Sequence, residues 1–520
     1  MDIHGTVEGS TSVRNGVKRM VFVVLSILLE VGLILMLVFH FSEYATWIAI
    51  LIRIFGMALV VLIYGEHKTA SIKMPWIMMI MATPILGVAL YLLIGLNGST
   101  WRMRRRYEEI DRRLLPELKA DPGTEKSLQD TDLTGANLST YLKNHAGYPL
   151  YRNTEVTYYP EASEGLEAQL EDLSRAKKFI FMEYHAIEDA ESFHRIEKVL
   201  VRKVKEGVEV RLFYDDMGSI GFINTDFVKR MESKGIRCRV FNPFAPGLNI
   251  FLNNRDHRKI TVIDGKIGFT GGYNIANEYF NLTHPYGYWK DTGIRIEGPA
   301  VKSMTATFLE MWNAVKENDK DDKSFEKYLI DVKGSGNAKG FVQPYADRPM
   351  DDEHVGEDVY ISIAEGAKKY AWYVTPYLII TDEMTHALGL AAKRGVDVRI
   401  ITPGIPDKKL IYSVTRSYYN GLVRNGVRIF EYTPGFCHCK MSVSDDVTAT
   451  CGSINMDYRS LYHHFENGCV IYQNDAVIRI REDFEQMMSE SREVTEQYLT
   501  GRSRFLRLGQ LLLRLAAPLM

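Results

Sequence analysis

Apolar positions are distributed in two distinct ways along this chain. Three near-continuous runs come first, Met20 to Phe41, Ala45 to Gly65 and Met74 to Leu96, with Glu30 and Arg53 as their only charges. At ~1.5 Å per helical residue each run can cross a hydrocarbon core of ~30 Å, so the pattern predicts three transmembrane helices. Arg14, Lys18 and Arg19 flank the first, and no small-residue cleavage site follows it, which predicts an uncleaved anchor. In an antiparallel hairpin of the first two helices, Glu30 and Arg53 fall at depths within about 5 Å and are expected to pair. Arg102, Arg104, Arg105 and Arg106 follow the third run and predict a cytoplasmic-facing body on a multi-pass protein of the cell membrane.

Beyond Tyr141 short apolar runs alternate with amphipathic stretches, the pattern of an α/β fold. It occurs twice. Ala176-Lys-Lys-Phe-Ile-Phe returns as Ala367-Lys-Lys-Tyr-Ala-Trp, Glu206-Gly-Val-Glu-Val-Arg as Arg394-Gly-Val-Asp-Val-Arg, and Lys234-Gly-Ile-Arg as Asn425-Gly-Val-Arg. The offsets of 191, 188 and 191 residues keep the two copies in register, as repeated βαβ units would be. The expected organisation is a tail (1–19), a transmembrane region (20–97, with runs at about 20–41, 45–65 and 74–96) and a basic linker (98–140). A first half (141–317), a second linker (318–340) and a second half (341–500) follow. In the last segment, 501–520, Arg502, Arg504, Arg507 and Arg514 stand among leucines with no acid, which predicts a basic amphipathic helix at an anionic lipid surface.

Charge and cysteine usage narrow the classes. The 63 basic and 65 acidic side chains nearly cancel, which argues against a protein built to coat nucleic acid. Five cysteines in 520 residues (Cys238, Cys437, Cys439, Cys451 and Cys469) make no disulfide framework and point to a reducing compartment.

The chemistry lies in a second shared pattern. His257-Arg-Lys259-Ile-Thr-Val-Ile-Asp264 and His438-Cys-Lys440-Met-Ser-Val-Ser-Asp445 are both His-x-Lys-x4-Asp, and an asparagine, Asn274 or Asn455, stands 17 residues after each histidine. On an extended strand His and Lys share one face. Two imidazoles, two ammonium groups and two amides converging on a seam suit a phosphodiester, with one imidazole attacking phosphorus and the other protonating the leaving alcohol. A zinc site at Cys437-His438-Cys439 is disfavoured, because adjacent strand side chains splay apart and no second Cys pair has zinc spacing.

These motifs resemble those of the phospholipase D superfamily. From about Met20 to Met520 the chain resembles the bacterial cardiolipin synthases, including Lys73-Met-Pro-Trp-Ile and Pro84-Ile-Leu-Gly-Val-Ala-Leu-Tyr. The resemblance implies two pseudo-twofold-related α/β/α halves and a two-step transfer through a phosphohistidine, with no metal or organic cofactor. It makes His257 the nucleophile and His438 the general acid. It names Asp291 and Glu466 as the acids that orient the imidazoles, ahead of Glu278 and Glu183. Asp264 and Asp445 belong to the motif and are counted with the candidate site, although their distance along the strand suits bonds to turn or backbone groups. The implied reaction condenses two phosphatidylglycerol molecules into cardiolipin and glycerol. Its partners are then phospholipids and the membrane, not nucleic acid, and a homo-oligomer stays open. By themselves the motifs leave a hydrolytic phospholipase D, a nuclease and a membrane scaffold as alternatives. The apolar stretch Phe241 to Leu252 is a candidate for dipping into lipid. Cys437 and Cys439 replace the apolar and small residues usual around the histidine, which raises a redox-sensitive site.

Overall fold

Two sheets of matching strand order carry the body of the protein. The computed structural model describes residues 46–500 apart from 67–68, 93–99, 244–253, 316–323 and 352, together with isolated positions between 21 and 36 and position 514. Glu30 and its expected ion pair, most of the first apolar run, most of 241–252 and all of 501–520 but position 514 lie outside the described residues.

In the first half, β1 (Glu155–Tyr159), β2 (Phe179–Tyr184), β3 (Glu209–Asp215), β4 (Arg237–Phe241), β5 (Lys259–Ile263), β6 (Ile267–Gly271) and β7 (Gly293–Glu297) form a sheet of order β1-β7-β6-β5-β2-β3-β4. In the second, β8 (Phe341–Asp347), β9 (Tyr370–Val374), β10 (Asp397–Pro403), β11 (Arg428–Tyr432), β12 (Met441–Ser444), β13 (Thr448–Gly452), β14 (His464–Tyr472) and β15 (Ser491–Glu493) run in the order β8-β14-β13-β12-β9-β10-β11-β15. The first seven positions repeat, and so do the parallel pairs, β2-β3-β4 and β9-β10-β11. Helices Glu191–Lys205 and Asp382–Lys393 make the equivalent first crossovers. The repeated glycines have a backbone reason: Gly207, Gly235, Gly395 and Gly426 adopt φ of +80° to +96° just after a helix, a left-handed conformation that strains any residue with a side chain. The central strands are buried on both faces, which is why Phe179–Met182 reads as a continuous apolar run rather than an alternating one.

Two short parallel pairs stitch the halves together. Arg255–Asp256 pairs with His464–Phe465, and Gly435–Cys437 pairs with Tyr288–Lys290. Each pair sits immediately before a motif histidine.

Three regions differ from expectation. The run Met74 to Leu96 does not form one helix: Ala70–Ala82 and Pro84–Leu90 are separate, because Pro84 lacks an N–H and pushes Thr83 out of helical geometry to ψ 74°. Both pack with Thr46–Gly65 around Leu59, Ile63, Ile80 and Val88, while Leu51, Val61 and Leu62 stay exposed. Among the described residues no helix is long and apolar enough to cross a membrane. The supposed basic linker 98–140 folds as helices Thr100–Leu114, Pro122–Thr131 and the start of Leu133–Asn144. Tyr107, Ile110 and Leu114 recur at helical spacing and are buried in the main core, a stripe that the surrounding arginines mask in the sequence. The 318–340 segment is likewise anchored where it is described, with Phe325, Tyr328 and Leu329 buried and the Tyr328 hydroxyl 2.9 Å from Glu209.

Candidate active site

His257 is placed by its neighbours on both sides of the seam. Asp215 accepts from the Arg255 guanidinium at 2.7 Å and from the Asp256 N–H at 3.0 Å, which fixes the peptide before it. The His257 N–H donates to the Phe465 carbonyl at 2.8 Å. Strand alternation then turns Glu466 to the imidazole, with its two oxygens 2.9 and 3.0 Å from Nδ1. His438 repeats the arrangement: its N–H donates to the Lys290 carbonyl at 2.8 Å, and Asp291 Oδ2 lies 2.7 Å from Nδ1. Each histidine therefore takes its carboxylate from the opposite half. The carboxylate selects the tautomer with the proton on Nδ1 and leaves the Nε2 lone pair free. Gly272 makes room for this contact, since a Cβ there would stand 2.1 Å from Asp291 Oδ1.

The lysines are buried beside the imidazoles. Lys259 Nζ donates to the His257 carbonyl at 2.6 Å, and Lys440 Nζ donates to the His438 carbonyl. Lys440 Nζ is also 2.7 Å from His438 Nδ1, but the Nδ1 proton goes to the anionic Asp291, so the ammonium is satisfied by the carbonyl. Burial, then the nearby ammonium groups, holds both imidazoles well below the usual histidine range, so both are neutral near pH 7. Burial pushes Lys259 down to about 7, lowers Lys440, and pushes Asp291 up to about 7.

Asn274 accepts from the Ala186 N–H at 3.1 Å and donates to the Tyr279 hydroxyl at 3.0 Å, while Asn455 Oδ1 has no hydrogen-bond partner among the described residues. Both line a cavity of 760 Å³ together with His257 and His438. A separate cavity of 830 Å³ around Lys290 and Asp483 holds neither histidine.

Asp264 and Asp445 are not brought to this site. Each follows its strand with φ near +55° and accepts three backbone N–H groups at 2.6–3.0 Å, from Lys177 to Phe179 and from Lys368 to Tyr370. They pin β2 and β9 at the far end of the motif strands. Glu183 is buried behind the motif, 3.9 Å from Arg258, and does not line the cavity; Glu278 lines it without bonding either histidine. Cys437 and Cys439 are fully buried, with Cys439 Sγ 3.4 Å from the Lys290 carbonyl.

Two histidines were missed by sequence reasoning. The rings of His185 and His464 lie 4.9 and 5.4 Å from that of His257. His464 was legible in principle, because it stands two residues before Glu466 on the same strand face. Trp289 stands two before Asp291 and packs 5.5 Å from His438.

The family model described as "Cardiolipin synthase, PLD-like domain" matches residues 170–312 and 360–488. A Streptococcus mutans protein described as uncharacterized is 40% identical over 459 residues, covering 88% of this chain and 98% of that one. Cardiolipin synthase 2 of Bacillus cereus is 31% identical over 459 residues, covering 88% of each chain. In fold, the chain is similar to phosphatidylserine synthase of Haemophilus influenzae, with a TM-score of 0.55 at 15% identity, covering 74% of this chain and 97% of that one. The duplicated sheet, the paired motifs and these matches agree, and the chain belongs to the cardiolipin synthase family of proteins with the phospholipase D-like domain.

Proposed function

We propose that this protein is a phosphatidyltransferase that makes cardiolipin and glycerol from two phosphatidylglycerol molecules. The observation that carries the reading is the pair of neutral imidazoles in one cavity, each held at Nδ1 by a carboxylate of the other half. His257 Nε2 attacks phosphorus and the P–O bond to glycerol breaks. The glycerol oxygen takes its proton from His438, whose imidazolium the incoming phosphodiester anion favours. In the second step His438 recovers that proton from the hydroxyl of another phosphatidylglycerol, which attacks the phosphohistidine and frees His257. Lys259, Lys440 and Asn455 hold the phosphoryl oxygens, and Glu466 stabilises the charged phosphoimidazole. Asn274 supports the cavity wall.

The same reading sets the protein on a membrane. The apolar runs within 20–97 anchor it, the halves at about 141–317 and 341–500 face the cytoplasm, and the basic 501–520 segment lies on anionic lipid. These assignments rest on residue pattern and on the names of relatives such as the Bacillus cereus cardiolipin synthase 2.

Purified full-length protein in phosphatidylglycerol vesicles provides the test. Cardiolipin with stoichiometric glycerol is expected, and activity should survive dialysis against EDTA. Phosphatidic acid as the main product would mean that water is the second-step acceptor, and the enzyme a hydrolase. No lipid change would overturn the reading.

A further inference from the structure

Among the polar groups that line the cavity and that the transfer mechanism does not use, His464 stands out. His464 is 8% exposed, and neither of its ring nitrogens has a hydrogen-bond partner among the described residues. Glu466 Oε1 lies 3.5 Å from its Nδ1, at the outer limit for a hydrogen bond. A buried imidazole with both nitrogens unpaired is rare in folded proteins and calls for a ligand. His464 and Glu466 share one face of β14, and the Arg255–Asp256 pairing brings His257 to the same place from the other half. One donor atom from each of the three residues lies within 4.8 Å of the other two.

We infer that His257, His464 and Glu466 form an inhibitory divalent-cation site whose donors suit Zn²⁺. Two imidazoles and a carboxylate form the donor set of three-ligand zinc sites. Tetrahedral zinc holds its donors about 3.3 Å apart, and Glu466 Oε1 already lies 2.9 Å from His257 Nδ1 and 3.5 Å from His464 Nδ1. The consequence for chemistry follows from the tautomer. Zinc on His257 Nδ1 displaces that nitrogen's proton to Nε2, which ties up the lone pair that would attack phosphorus, and it draws Glu466 away. No proton or electron leaves the site, so removing the metal restores it. Lys259 and Lys440 oppose a dication, which predicts a reversible, micromolar site rather than a permanently filled one. The site occurs once per chain, because Trp289 stands beside His438 where His464 stands beside His257.

The metal half of this inference stands without the proposed activity, and only its inhibitory half rests on it. The test uses full-length protein in detergent, stripped with EDTA and desalted, and titrated with Zn²⁺ by calorimetry. One zinc per chain is expected, with affinity at least 10-fold weaker in both His464→Gln and His464→Asn, each checked for folding by its melting curve. Transfer activity is then compared with and without zinc in each protein. The wild type should fall at least 10-fold and recover with EDTA, while the ratio in the variants stays near one. Absence of one-per-chain binding, or equal binding by both folded variants, overturns the site. Equal zinc inhibition of the variants overturns the inhibitory role. His464-dependent binding by a protein that makes no cardiolipin would keep the metal site and sink the transferase reading instead.

Discussion

The two motif histidines have the same backbone support and different company. His257 is flanked by two further imidazoles, His185 and His464, and meets both oxygens of Glu466. His438 is boxed by Tyr279, Trp289 and Phe436 and meets one oxygen of Asp291. Duplication supplies the scaffold, and the divergence of a few neighbours supplies a division of labour. In the proposed mechanism His257, as nucleophile, needs a carboxylate that can offset a full positive charge on phosphohistidine. In the same mechanism His438, as proton donor, is packed against aromatic rings rather than further imidazoles.

The largest expected effects come from removing the histidines. His257→Ala and His438→Ala should each lose at least ~10³-fold in rate, as members of one catalytic unit do. They should then separate: with a substrate carrying a p-nitrophenol leaving group, His438→Ala should accumulate a phosphohistidine on His257. Mass-spectrometric detection of the adduct on His438 would reverse the assignment. Next come the acids. Glu466→Gln and Asp291→Asn should each cost about 10²–10³-fold, but the good leaving group should rescue Asp291→Asn and not Glu466→Gln. Equal rescue of both would erase the distinction between the sites.

Smaller effects are expected on stability. Asp264→Asn and Asp445→Asn should destabilise by about 1–3 kcal/mol each, through weakened bonds to three backbone N–H groups, with matching losses in the two halves. Denaturant midpoints provide that number, and a strong loss in one half alone would break the symmetry claimed for them. Stability should also carry a pH slope. Folding lowers Lys259 from 10.5 to about 7, so between those values the unfolded chain binds more protons and stability should rise with pH. Lys440 adds to the slope in the same direction. Lys259→Met should flatten that rise, whereas Asp291→Asn should flatten the opposite fall between about 4 and 7, since folding raises Asp291 from 3.8 to about 7.

Much of this site was legible from residue order. The His-x-Lys pairs announce themselves because a period of two puts both side chains on one strand face, and because the pattern recurs with the same spacing to asparagine. What residue order does not carry is the register between halves. Nothing local to Arg255 says that it will pair with His464, so the exchange of Glu466 and Asp291 across the seam was out of reach. Composition also misled. The arginines around Tyr107, Ile110 and Leu114 disguised a packed helix as a linker, and the apolar run through Pro84 hid a break that one missing N–H enforces.

The exchanged carboxylates also set a clock on biosynthesis. Glu466 lies 209 residues beyond His257. At ~5–20 residues per second, a ribosome needs roughly 10–40 s to deliver it after the nucleophile has emerged. Through that interval the nascent first half has a histidine with no carboxylate to arm it. The pair of armed histidines is complete only once the second half has been made as far as Glu466.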